Sequence, residues 1–132
     1  MDIYSEIILD HYKNPRNKGS VKNATATAIE HNPLCGDKIK IELLLDKSNR
    51  IKTIKFSGSG CAISQAAASM LLETLTGKTL NEIEKIKSRE IIKMLNIPIS
   101  PAREKCALLG LYAVKKAVEL AAKPRNSKKR SK

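Results

Sequence analysis

Between Lys38 and Phe56 the residues repeat with a period of two, interrupted once. Ile39, Ile41, Leu43 and Leu45 alternate with Lys38, Lys40, Glu42 and Leu44. Asp46-Lys47-Ser48-Asn49-Arg50 then supplies turn formers, and Ile51 to Phe56 resumes the pattern with Ile54 and Phe56 inward. A period of two puts successive side chains on opposite faces, so each run is a half-buried strand. Strand, turn and strand in sequence make an antiparallel meander. A weaker alternation over residues 24 to 30, Ala24 to Glu30, adds a first strand ahead of it.

The remaining segments read as helices. Tyr4, Ile7, Ile8 and His11 share one face of a short amphipathic helix over residues 3 to 12, ended by the breakers of Asn14-Pro15-Arg16-Asn17-Lys18-Gly19. Ser57-Gly58-Ser59-Gly60 is expected to end the third strand. Cys61 then stands at the mouth of an Ala-rich helix running to about Leu75, stopped by Gly77. Thr79-Leu80-Asn81-Glu82 has capping-box spacing, and Ser88 is the expected cap of a helix with Ile91, Ile92 and Leu95 inward. Ser100-Pro101 opens a last helix to about Ala122, with Cys106, Leu109, Ala113, Ala117 and Leu120 along one face. The expected fold is therefore α+β: a small three-stranded antiparallel sheet with about five helices packed against it. It forms a single domain over residues 1–122, followed by a basic, disordered tail over 123–132.

Composition narrows the function classes. The 132 residues are 42% hydrophobic but only 3% aromatic, so the core is aliphatic. No apolar run approaches the roughly 20 residues that span a bilayer. The first residues lack the basic-then-apolar layout of a signal peptide, so a cytoplasmic location and no membrane partner are expected. Half of the +12 net charge comes from the six Lys and Arg of the last ten residues. No aromatic residues are interleaved with them for base stacking, which argues against specific nucleic-acid binding.

Asn32-Pro33-Leu34-Cys35-Gly36-Asp37 combines a fixed proline φ, a permissive glycine, a thiol and a carboxylate. It reads as a shaped loop whose Cys35 and Asp37 converge, or as a turn around a buried cysteine. The other two thiols sit near helix starts, where unpaired N–H groups and partial positive charge favour thiolate. Gly58 and Gly60 beside Cys61, like Gly36 beside Cys35, are expected to leave room for a bulky ligand. Three thiolates and Asp37 would complete a four-coordinate site for Zn²⁺ or for iron with bridging sulfide. The spacing is not CxxC-like, so a simple zinc finger is unsupported. Cys106 on an apolar helix stripe also has the plain reading of a core residue. His31, at the end of the first strand, and His11, on a helix, are read as structural.

Four blocks carry a resemblance: Asp10-His11-Tyr12-Lys13-Asn14-Pro15-Arg16-Asn17-Lys18-Gly19, the loop just quoted, Phe56-Ser57-Gly58-Ser59-Gly60-Cys61-Ala62-Ile63-Ser64, and Arg103-Glu104-Lys105-Cys106-Ala107-Leu108. In this order they resemble the IscU/NifU/SufU family of iron–sulfur cluster assembly proteins. The resemblance implies a scaffold, a sulfur carrier rather than a typical enzyme. It would accept persulfide sulfur from a cysteine desulfurase and assemble a 2Fe–2S cluster for apo recipient proteins. In the SufU branch it implies a zinc-dependent sulfurtransferase relay instead. Carried over by position, Cys35, Asp37, Cys61 and Cys106 are the cluster or Zn²⁺ ligands, Cys35 and Cys106 the candidate persulfide acceptors, and Asp37 the group tied to cluster lability.

Lys105 departs from the His that IscU-type members carry before the third cysteine and resembles SufU there. An ammonium has no lone pair for a metal, so its expected role is to stabilise the Cys106 thiolate or persulfide. The short stretch from Cys61 to Cys106 is IscU-like in length. Ile97-Pro98-Ile99-Ser100-Pro101 replaces the chaperone motif of IscU, which argues against a dedicated chaperone partner. A third reading, from the residues alone, is a structural zinc domain using its basic tail as an interaction module.

Overall fold

The computed structural model describes residues 6–33 and 36–122. Tyr4, Cys35 and the basic tail over 123–132 lie outside the described residues. The chain runs α1 (Glu6–Lys13), β1 (Ala26–Asn32), β2 (Asp37–Leu45), β3 (Ile51–Ser59), α2 (Ala62–Glu73), α3 (Leu80–Glu84), α4 (Ser88–Leu95) and α5 (Pro101–Ala122). The sheet is antiparallel in the order β1-β2-β3. Ala28, Ile41 and Phe56 lie in one row across it, and Ala26, Leu43 and Ile54 in the next. All six are buried, so the alternation read along each strand becomes one continuous apolar face.

That face is covered by helices. α5 packs on β1 and β2, α2 on β3 and α5, and α1 on α2. Gly110 of α5 meets Ala68 of α2 so closely that a Cβ at position 110 would lie 3.2 Å from the Ala68 Cβ. Two small residues thus let the two cysteine-bearing helices cross at short range. From Cys106 to Val118, α5 is buried on most sides: Leu108, Leu111, Val114 and Val118 are covered as well as Cys106, Leu109, Ala113 and Ala117. The stripe read from the sequence is one part of its buried surface, and Leu120 at its end is exposed instead.

Other boundaries moved for local reasons. β3 continues through Gly58, which pairs with Ile39. The free edge of β3 is covered by Asn17–Gly19, whose backbone exchanges hydrogen bonds with Phe56. α1 buries Ile8 and His11 but leaves Ile7 exposed. Lys87, not Ser88, caps α4, because the Glu90 carboxylate reaches back to accept from the Lys87 N–H at 3.0 Å. The Thr79/Glu82 capping box of α3 is present. Ser100 accepts from the Arg103 N–H with its hydroxyl and from Arg103 and Glu104 with its carbonyl, which starts α5. Among the described residues no helix is long and apolar enough to cross a membrane.

Candidate metal centre

β1 and β2 end and begin on a shared rung, Asn32 opposite Asp37. The connection is closed by the Gly36 N–H, which donates to the Asn32 carbonyl at 2.8 Å, with Gly36 at φ 79°. Only glycine takes that angle without strain, so the turn that delivers Asp37 depends on it. Asp37 points inward on the same face as Ile39 and Ile41 and is 4% exposed. A buried carboxylate normally has all its oxygens satisfied. Here Asp37 Oδ2 is buried without a hydrogen-bond partner.

Cys61 arrives from the end of β3, the strand paired with β2 next to Asp37. β3 stops at Ser59, and Cys61 caps α2 in extended backbone (φ −73°, ψ 170°). Its sulfur accepts from the Ser64 N–H at 3.5 Å, and the Ser64 hydroxyl donates to the Cys61 carbonyl at 3.1 Å. The thiol therefore sits at the positive end of a twelve-residue helix. The flanking glycines serve the protein rather than a ligand. A Cβ at Gly58 would run into the Lys38 carbonyl, and one at Gly60 would meet Ser64 Oγ and lie 3.0 Å from Asp37 Cγ. The room expected there is filled by backbone and by the site's own carboxylate.

Cys106 comes from the second turn of α5 and is 7% exposed. The Asn32 side-chain amide donates to its sulfur at 3.9 Å. One ligand atom each from Asp37, Cys61 and Cys106 lie within 4.8 Å of one another. Two thiols and a carboxylate, one oxygen of which is buried without a hydrogen-bond partner, are a donor set suited to a thiophilic cation such as Zn²⁺ or iron, and poorly suited to a core.

The other residues singled out from the sequence are not part of this cluster. Lys105 is exposed and lines a pocket of about 280 Å³ with Glu30, His31, Asn32, Pro33, Leu109 and Tyr112. His31 is exposed on β1, opposite Lys38. His11 is buried and bonded through Nδ1 to Ser69 Oγ at 2.7 Å, a structural contact between α1 and α2. A larger groove of about 600 Å³ between α2, α3 and α4 shares none of these residues. Sequence reasoning missed Asn32 and Ser64. The only signal for either was its place beside a motif cysteine or aspartate.

The sequence from residue 3 to 127 matches the family model described as NifU-like N terminal domain. The chain belongs to that family. Among curated relatives of this NifU-like domain is the iron–sulfur cluster assembly scaffold protein IscU of Rickettsia prowazekii, 35% identical, covering 97% of this chain and 98% of the relative. The zinc-dependent sulfurtransferase SufU of Bacillus subtilis is also 35% identical, with 88% and 89% covered. Among solved structures, FiSufU from Fervidobacterium islandicum AW-1 superposes with a TM-score of 0.75 at 32% identity, over 88% of this chain and 96% of that one. The NifU-like domain thus shares its fold with that protein.

Proposed function

We propose that this chain is an iron–sulfur cluster assembly scaffold. It takes sulfane sulfur from a cysteine desulfurase, builds a 2Fe–2S cluster as its cargo, and passes it to apo recipient proteins. Cys35, Cys61 and Cys106 hold the iron, and Asp37 fills or gates the last position. The observation that carries this reading is the approach of Asp37, Cys61 and Cys106 to within 4.8 Å, with one buried carboxylate oxygen otherwise unpaired. A weak oxygen ligand among thiolates suits a product that must leave. The free thiols of Cys61 and Cys106 support a reducing compartment, for which we propose the cytoplasm.

The sulfur-transfer step is a thiolate displacement. The thiolate of Cys35 or Cys106 attacks the outer sulfur of the desulfurase persulfide. A new S–S bond forms on this chain, the donor's S–S bond breaks, and the desulfurase cysteine leaves as thiolate with the electron pair. Conversion of that sulfur to sulfide takes two electrons from an external reductant. Lys105, exposed beside Cys106 in sequence, supplies positive charge to the thiolate and the persulfide.

Lys105 favours a second reading, the zinc-dependent sulfurtransferase relay named for the Bacillus subtilis relative. Resident Zn²⁺ on the same four residues would keep their thiols ionised, and Asp37 Oδ2 is a fitting fourth donor. The two readings separate in one experiment. The protein is purified anaerobically, its metal is measured, and a cysteine desulfurase, cysteine, iron and reductant are added. Appearance of 2Fe–2S absorption supports the scaffold. Faster desulfurase turnover with zinc retained and no cluster supports the relay. Neither effect, with chelation simply unfolding the domain, leaves a structural zinc site.

A further inference from the structure

We infer that Asn32 is a positioning residue of the metal centre, whose side-chain amide holds the Cys106 sulfur in the orientation that meets Asp37 and Cys61. The inference rests on the reading of these residues as a metal site. Asn32 belongs to the sheet and Cys106 to α5, so their contact adds a polar tie to the packing of α5 on β1. The Asn32 backbone is fixed by the start of β2: it shares a rung with Asp37, and its carbonyl accepts from the Gly36 N–H at 2.8 Å. The side chain is 7% exposed, and its Nδ2 lies 3.9 Å from Cys106 Sγ.

The residue type fits the task. An amide offers N–H donors without a charge, whereas a carboxylate at this place would repel both Asp37 and a thiolate. A hydrogen bond to neutral sulfur is weak at this distance and tightens once the sulfur is ionised. Asn32 also lines the 280 Å³ pocket with Lys105 and Tyr112, so the residue that bonds the sulfur is also part of that pocket's wall. Groups bonded to metal ligands fix ligand orientation, and their loss weakens metal affinity by about 10- to 100-fold. Hydrogen bonds to cysteine sulfur also tune the electronic state of iron–sulfur clusters.

The test uses the full chain and its Asn32→Leu variant, close in shape but without donors. Zn²⁺ affinity is measured by chelator competition, the Co²⁺ adduct by its sulfur-to-metal charge-transfer absorption, and the metal-free fold by thermal melting. The expected result is a metal-free melt near wild type, Zn²⁺ affinity lower by about 10- to 100-fold, and a shifted Co²⁺ band. Wild-type affinity with an unshifted band would overturn the inference while leaving the metal site intact. A wild-type protein that holds neither Zn²⁺ nor Co²⁺ would instead remove the metal-centre reading, and this one with it. Should Asn32→Leu fail to fold, wild-type protein loaded with ¹¹³Cd decides. A scalar coupling between the Asn32 side-chain amide proton and cadmium, relayed through sulfur, supports the role, and its absence overturns it.

Discussion

The carboxyl group of Asp37 lies against the bare Cα of Gly60, so close that a methyl group there would sit 3.0 Å from its carbon. β2 and the β3–α2 junction therefore meet at the candidate metal centre with no side chain between Asp37 and Gly60. Gly60→Ala keeps an allowed backbone but pushes on both Asp37 and Ser64. It should cost about 1–3 kcal/mol in denaturant unfolding and lower Zn²⁺ affinity at the same time. Unchanged affinity in a destabilised variant would mean that Asp37 is not held by this contact.

Asp37→Ala separates burial from binding. With no metal, the wild-type protein keeps a buried carboxylate oxygen unpaired, at a desolvation cost of about 1–3 kcal/mol. The metal-free variant should match or exceed wild type in melting temperature, yet gain less from added Zn²⁺. If a cluster is assembled, its loss to a chelator should be slower than in wild type, because the exchangeable oxygen is gone. Faster loss would contradict a gating role.

Much of this arrangement was legible in the residues. Ile39, Ile41 and Leu43 specified which face of β2 is buried, and Ser100-Pro101 marked where α5 begins, because both signals are local. The run through Ser57-Gly58-Ser59 was not legible, since glycine ordinarily weakens a strand. Here Gly58 stays in β3 because its missing Cβ lets the Lys38 carbonyl approach. Burial of α5 on most sides depends on the several elements packed around it, which periodicity along one helix does not report. Asn32 read as a turn residue before Pro33. Its amide acquires meaning only when α5 brings Cys106, 74 residues later, beside it.

The crossing of α2 and α5 sets the separation of Cys61 from Cys106. A Cβ at Gly110 would already lie 3.3 Å from the Ala68 Cα, so Gly110→Val must spread the helices. Thermal melting should show a loss of about 1–3 kcal/mol, and Zn²⁺ affinity should fall with it. A variant that melts early but binds Zn²⁺ normally would show that the thiol spacing does not depend on this crossing.

His11 gives the fold a pH dependence separate from the site. The Arg16 N–H donates to Ser69 Oγ at 2.8 Å, which leaves the Ser69 hydroxyl proton for His11 Nδ1. Neutral His11 then carries its proton on Nε2, 3.7 Å from Glu73. Burial pushes its pKa below the ordinary 6.5, the Arg16 charge adds to this, and Glu73 and Asp10 oppose it. The unfolded chain thus takes up a proton that the folded chain resists. The stabilisation is full above pH 6.5 and is lost as pH falls from there toward the folded value. Urea unfolding of the metal-free protein should weaken over that range by up to about 1.4 kcal/mol per pH unit. His11→Gln should flatten the slope, and equal slopes would assign it to other groups.

The central claim, that the thiols and the Asp37 carboxylate form one metal-binding centre, is tested most directly by zinc X-ray absorption on the metal-loaded full chain. The account predicts a shell of sulfur at about 2.3 Å and one oxygen at about 2.0–2.2 Å, with sulfur lost in Cys61→Ser and in Cys106→Ser and the oxygen changed in Asp37→Ala. A shell of nitrogen and oxygen alone, indifferent to those substitutions, would contradict it.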